Sequence, residues 1–318
     1  MHTSNRLQHM PISFFAMVMG MTGLTIAWEK ASEIFHFSSA VSVTLLVQSI
    51  VIFVVLAVMY LYKAMHFREA LIKEWANPIK MSFVPTLSIS MLLFSVAFLP
   101  VSRTTSLVLW TLGTALHLSL SLLIINAWLH HEKFETHHIN PAWFIPAVGN
   151  VIVPLAGVEL GYPEIAWFFF SIGMMFWLIL LVIVFNRIIF HQPLPQKLLP
   201  TLFILIAPPA VGFLSYVKLL GSIDSFAQVL YNFALFLTLL LFSQLPRFLR
   251  LPFYMSWWAY SFPLAAMSIA SMVMSQLQDN RFYGYVGIGL LWLLSVLVAV
   301  LFIKTLQAVQ HGKICVAE

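Results

Sequence analysis

The chain has 318 residues, of which 61% are hydrophobic and only 8% are charged. An ordinary soluble domain carries about 25% charged residues, so this chain has too few charges to cover the surface of a soluble globule. With a net charge of only +5, the composition excludes a cytosolic enzyme, a disordered chain and a nucleic-acid-binding protein. A single cysteine, Cys315, leaves no disulfide framework and no paired-cysteine metal or redox motif.

Ten apolar segments make up most of the chain, and each is long enough to cross a membrane as a helix of about 20 residues. We expect a single transmembrane domain over residues 1–318, because only short loops remain between the segments. No small-residue cleavage site follows the first segment, which is therefore interpreted as a retained span rather than a signal peptide. We number the segments one to ten: 12–28, 39–62, 82–101, 106–129, 142–158, 165–186, 198–217, 222–243, 254–276 and 283–303.

The distribution of Lys and Arg between the loops predicts an orientation. The side that holds the N-terminus, the C-terminus and the loops after even-numbered segments carries twelve of the sixteen basic residues. The other side carries Lys30, Arg103, Lys218 and Arg281 together with six acidic residues. Since excess Lys and Arg mark the cytoplasmic face, both termini are predicted to be cytoplasmic, which requires an even number of spans.

Two kinds of segment alternate along the chain. Even-numbered segments are smooth and apolar all round, whereas segments three, five, seven and nine contain proline among small residues. The sequence Pro-Ala-Val-Gly occurs at 146–149 and again at 209–212, and segment one has glycines instead of proline. The residues that we predict to bend the odd-numbered helices or to line a pore are Gly20, Pro85, Pro146, Gly149, Pro209, Gly212 and Pro263.

This alternation predicts an all-α integral membrane protein built from five repeated helical hairpins. Irregular backbone at membrane depth must be shielded from lipid, so the odd-numbered helices should face inward and the even-numbered helices outward. Five such hairpins can close into a ring around a central pore. The alternative is a solid bundle, in which the prolines, which are common in membrane helices, only kink the helices.

The predicted odd-numbered segments contain no Asp, Glu, Lys or Arg, and their polar groups are hydroxyls and amides, such as those of Thr86, Ser88 and Asn150. An uncharged lining beneath a basic mouth favours passive movement of small anions over proton-coupled transport. His117 is interpreted as a packing residue, and the histidine-rich loop 130–138 as solvated rather than metal-binding. No catalytic grouping is present, so we predict neither an enzyme nor a cofactor or metal site.

Phe262 immediately precedes the proline of segment nine. A bend at Pro263 can turn the preceding ring toward the axis, where it would block and dewet a narrow pore. Ordinary packing is the alternative, because the chain has 28 phenylalanines, and Phe83 and Phe144 also lie near prolines.

Three motifs resemble the tellurite-resistance/dicarboxylate transporter family: WWAYSFP at 257–263, NPAWFIPAVGN at 140–150 and APPA at 207–210. The family includes bacterial tellurite-resistance proteins, which the chain resembles most, plant slow anion channels and fungal malate permeases. The resemblance implies ten helices in five hairpins around a pore, a homotrimer in the bacterial inner membrane, and anion conduction occluded by Phe262. Where relatives typically have glycines, this chain has PISFFA at 11–16, which adds Phe14 to Phe83 and Phe144 as a further pore-facing candidate.

The sequence therefore predicts a channel for small anions, linked to tellurite resistance by resemblance, whose partners are membrane lipid and the anions themselves. A secondary carrier for C4-dicarboxylates or tellurite oxyanion is the main alternative. A membrane subunit without transport activity, acting through the histidine-rich loop, is a third.

Overall fold

The structure is a computed structural model that describes residues 6–316, and every regular element in that range is helical. The even-numbered segments are five uninterrupted α-helices, which we call the outer helices. The most apolar 18 residues of each outer helix are only 22–39% buried, so these helices turn most of their surface outward, as predicted. The outer helices are Ala40–His66, Arg103–His130, Pro163–Phe190, Ser225–Phe242 and Arg281–Gln310.

The odd-numbered segments, which we call the inner helices, each begin as a 3₁₀-helix and continue as an α-helix. Four of them are 72–89% buried over their most apolar 18 residues. Segment five returns to 3₁₀ geometry at Gly149–Ile152 before a last α-helix, Val153–Leu160. The first 3₁₀ and α parts are Ile12–Phe14 and Phe15–Phe35, Lys80–Phe83 and Thr86–Phe98, Pro141–Trp143 and Phe144–Val148, Gln196–Ile206 and Ala207–Leu220, and Met255–Tyr260 and Ser261–Gln278.

The predicted prolines lie where 3₁₀ geometry gives way to α geometry. Pro85 directly precedes the α part of segment three, and Pro146, Pro209 and Pro263 are the third residues of theirs. The first N–H groups of an α-helix have no partner within the helix, so proline loses no hydrogen bond there. Each proline therefore marks the start of an α part rather than a break inside one.

The inner helices form a closed ring. Segments one, three, five, seven and nine each pack against the next, and segment nine packs against segment one. Each inner helix also packs against the outer helix that follows it, which gives five hairpins. All five inner helices run in the same direction, so their 3₁₀ ends meet at one mouth of the ring and their α ends at the other.

The structure corrects the predicted boundaries and leaves the count of ten open. Among the described residues, nine helices are long and apolar enough to cross a membrane, and Ser261–Gln278 of segment nine is not one of them. Segment one continues past residue 28 to Phe35, because nothing in its sequence stops the helix before a left-handed residue, His36. The inner α-helices therefore carry charged residues at their ends that the shorter predicted segments left out. Two short helices, Arg68–Ala76 and Leu245–Leu249, lie in the loops.

Candidate functional site

A cavity of about 70 Å³ lies at the centre of the ring, and all five inner helices contribute to its lining. None of the described residues that line it is acidic or basic, and Thr86 alone among them carries a hydroxyl. That hydroxyl donates a hydrogen bond of 2.6 Å to the Phe83 carbonyl, so it offers its proton to the helix rather than to the cavity. The cavity is therefore an apolar space in which a hydrated ion would lose its water without replacement.

Phe262 borders this cavity from the first turn of the segment nine α-helix. Its half-buried ring lies against segment one, where a Cβ atom added to Gly23 would come within 3.3 Å of the ring. Pro263 and Trp258 border the cavity on either side of Phe262, and the Trp258 indole donates to Thr305 Oγ1 at 3.0 Å. The Phe262 ring thus extends from segment nine and lies against segment one at the cavity.

The other predicted phenylalanines lie in two places. Phe83 and Phe144 line the cavity together with Phe262. Phe14 does not line the cavity. It lines a second, larger space described below and packs in a separate apolar cluster that includes Met10. Segment one instead reaches the cavity through Ala16 and Met19, two and five residues after Phe14.

The predicted prolines and glycines also divide between lining and packing. Gly149 and Pro263 border the cavity, and in segment seven Pro208 borders it where Pro209 was predicted to do so. Gly20 packs against Ser261, whose hydroxyl an added Cβ atom would overlap, and Gly212 packs against Met174 of segment six, whose sulfur an added Cβ atom would approach to 3.0 Å. Pro85 and Pro146 are not among the residues that line the cavity.

A large basic vestibule of about 1670 Å³ lies at the 3₁₀ end of the ring. It shares Ala16, Phe83 and Ala259 with the lining of the cavity, so the two spaces adjoin. Its acidic residues are Glu69 and Glu74, against seven basic ones. This excess attracts anions toward the cavity. The basic residues are Lys63, Arg68, Lys73, Lys80, Lys197, Lys304 and Lys313, all of which lie on the side predicted to be cytoplasmic.

Comparison with known families identifies the architecture. Residues 9–306 match the model of the voltage-dependent anion channel family, SLAC1. The chain belongs to this family. That match covers every inner and outer segment apart from the last residues of segment ten, and the family's proteins are channels and transporters rather than enzymes.

Three relatives illustrate the range of the SLAC1 family. The chain is 27% identical to an uncharacterized transporter of Methanocaldococcus jannaschii, with 95% of each chain covered. It is 31% identical to the S-type anion channel SLAH3 of Arabidopsis thaliana over 82% of this chain and 42% of the plant protein. It is 25% identical to the tellurite resistance protein TehA homolog of Haemophilus influenzae over 84% of this chain and 82% of the relative.

The vestibule of this SLAC1-family protein contains a buried ion pair that the sequence patterns did not reveal. Lys63 Nζ lies 2.6 Å from Glu74 Oε2, and both side chains are almost fully buried. Lys63 also donates to the Met10 carbonyl at 2.8 Å, and Glu74 accepts from the Ile12 N–H at 2.6 Å. The pair therefore attaches the short helix Arg68–Ala76 and the end of segment two to the start of segment one.

His117 lies behind the lining of the cavity, on the outer helix of segment four. It is fully buried, and its Nδ1 lies 2.9 Å from Ser88 Oγ. Its other face abuts Gly149, where an added Cβ atom would come within 2.6 Å of the imidazole. His117 is thus a packing residue that contacts segment five at Gly149, a cavity-lining residue without a side chain.

Proposed function

We propose that the protein is an anion channel in which small anions pass from the basic vestibule through the central cavity, and that Phe262 closes the cavity. The observation that carries this proposal is the apolar cavity, lined by all five inner helices and adjoining a vestibule with seven basic and two acidic residues. The lining offers no ionisable group to carry a proton, and the vestibule concentrates anions at one entrance.

Phe262 is the proposed gate because its ring borders the cavity and rests on a small residue, Gly23. A bulky apolar ring in a narrow apolar space excludes water and therefore ions. Phe83 and Phe144 narrow the same cavity, but they lie in or next to the 3₁₀ parts of their own segments. Removing the Phe262 ring is expected to open a continuous path for anions through the ring, because loss of the ring enlarges the cavity next to segment one.

The proposed orientation of the channel is based on its charge distribution, and its proposed membrane and oligomeric state are based on its family. Because excess Lys and Arg mark the cytoplasmic face, the proposal has the vestibule and both termini facing the cytoplasm. Residues 1–5 and 317–318 at those termini lie outside the described residues. Resemblance to the family extends the proposal to a homotrimer in a bacterial inner membrane, with one transport domain per chain and a link to tellurite resistance.

A secondary carrier for C4-dicarboxylates or tellurite oxyanion is the second candidate, since one relative is named as a transporter and another as a tellurite resistance protein. Flux in proteoliposomes separates the two. A channel dissipates an imposed chloride gradient passively once Phe262→Ala is introduced, whereas a carrier shows saturable exchange that depends on anion on the opposite side. Flux through Phe262→Ala no faster than through protein-free liposomes would reject the channel.

A further inference from the structure

Four charged side chains lie at the mouth of the ring opposite the vestibule. Lys30 and Glu33 lie near the end of segment one, Glu159 near the end of segment five and Lys218 near the end of segment seven. Lys30 Nζ lies 2.9 Å from Glu33 Oε2, and Lys218 Nζ is ion-paired with Glu159 Oε1. We call these four residues the outer-mouth cluster.

The two lysines of the cluster lie on inner helices that are not neighbours in the ring. In ring order, segment one has segments three and nine as its neighbours, and segment seven has five and nine. Lys30 follows the lining residue Met19 by eleven positions and Lys218 follows the lining residue Val211 by seven, so each lysine lies within about 20° of a cavity-lining residue on its own helix. Both lysines therefore lie on the axis-facing sides of their helices, at the mouth that the ring encloses.

The cations of the cluster lie deeper than its anions. The side chains of Lys30 and Lys218 are 22% and 34% exposed, whereas those of Glu33 and Glu159 are 60% and 49% exposed. The lysine side chains are therefore the less exposed members of the cluster. A small anion that leaves the cavity passes these two lysines, each of which already binds one anionic group, a carboxylate.

We propose that Lys30 and Lys218 form a binding site for small inorganic anions at this mouth, and that Glu33 and Glu159 compete with the transported anion for it. The proposal rests on the proposed function, because it assigns the cluster to the same pathway. Its consequence is a pair of opposite effects. Removing a carboxylate leaves a lysine available to the anion, and removing a lysine leaves an uncompensated carboxylate that repels the anion.

The experiment measures chloride conductance and the reversal potential under a KCl gradient in planar bilayers, in the Phe262→Ala background. Glu159→Gln and Glu33→Gln are expected to raise the conductance and the chloride preference. Lys218→Gln and Lys30→Gln are expected to lower both by about twofold or more, as a unit charge at a partly solvated mouth should. Glu164→Gln and Arg281→Gln are matched controls, because these exposed residues lie at the same end of the molecule but on outer helices.

The outcomes separate the two proposals. Opposite changes for the glutamate and lysine variants, with the controls unchanged, support the outer-mouth site. A robust chloride current that none of the four substitutions alters beyond the controls overturns the site and leaves the channel standing. Absence of current in every Phe262→Ala variant overturns the proposed function and the site with it. The double variant Glu159→Gln/Lys218→Gln removes the pair without leaving a lone charge, so it keeps the test valid if one single variant fails to fold.

Discussion

Gly23 of segment one lies directly against Phe262 of segment nine. A Cβ atom at Gly23 would come within 3.3 Å of the Phe262 ring and 3.0 Å of the Ala265 methyl group. Both distances are tighter than ordinary van der Waals contact, so the ring has its present position because residue 23 has no side chain. Segment one, which lacks the proline of the other inner helices, thus contributes to the gate through a glycine.

We predict that Gly23→Ala destabilises the protein by about 1 kcal/mol through overpacking. Part of this cost should disappear in the Phe262→Ala background, because the ring that the new methyl group meets is then gone. Thermal unfolding of the four proteins of this cycle in detergent measures the coupling. Gly289→Ala is the control, since a Cβ atom at that helical position meets nothing within 4 Å. Equal costs of Gly23→Ala in both backgrounds would show that the two residues are not coupled.

A second prediction concerns the contact between Gly149 and His117. Gly149→Ala places a methyl group within 2.6 Å of the fully buried imidazole, too close for both groups unless one shifts, so we expect a loss of about 1–3 kcal/mol of stability. His117→Ala removes the ring and should recover part of that loss in the double variant. The same thermal unfolding measurement tests this. Strictly additive losses would mean that His117 does not support segment five.

The buried pair of Lys63 and Glu74 gives a third prediction. Glu74→Gln leaves the Lys63 ammonium buried without its counter-charge, which costs about 3–5 kcal/mol. Glu69→Gln, on the same short helix but exposed, should change stability by no more than about 0.5 kcal/mol. Denaturation in detergent compares the two variants. Similar midpoints for both would show that the pair does not hold segment one in place.

The vestibule gives a prediction that depends on salt. In the Phe262→Ala background, the double variant Lys73→Gln/Lys304→Gln should lower chloride conductance at low ionic strength, because both exposed lysines attract anions toward the cavity. The difference should shrink near 1 M salt, where the Debye length falls to about 3 Å. Lys133→Gln, predicted to be on the same side but outside the vestibule, is the control. A loss of conductance that salt does not reduce would indicate a cause other than attraction.

Much of the fold could be predicted from sequence, because surfaces that face lipid must be apolar and irregular backbone must be shielded from lipid. Segments that are apolar all round, such as 41–62, became exposed outer helices, and segments with proline and small residues became buried inner ones. Repetition of that contrast also predicted the ring, which the contacts between inner helices confirm. The position of each proline is evident in the sequence. No sequence pattern showed that a 3₁₀-helix precedes the α part, so the role of the proline at that junction could not be predicted.

The details of the site depend on register and on helix ends, which hydropathy does not fix. Adjacent residues in a helix point in directions about 100° apart, so Pro208 and Pro209 could not be distinguished as lining residues from sequence. Charged residues were assigned to loops because charge ends an apolar segment. For this reason Lys30, Glu159 and Lys218 were not expected at the ends of inner helices. The pair of Lys63 and Glu74 joins residues eleven positions apart through a fold that no local pattern encodes.

Bilayer recording of purified wild type, Phe262→Ala and Phe236→Ala under symmetric chloride tests most directly whether small anions cross the cavity and whether the Phe262 ring closes it. Phe236 lies exposed on the outer helix of segment eight, so its loss should leave the wild-type conductance unchanged. We predict a chloride conductance in Phe262→Ala at least about tenfold above wild type, which corresponds to about 1.4 kcal/mol of gating free energy. A Phe262→Ala conductance equal to that of wild type and Phe236→Ala would contradict the account.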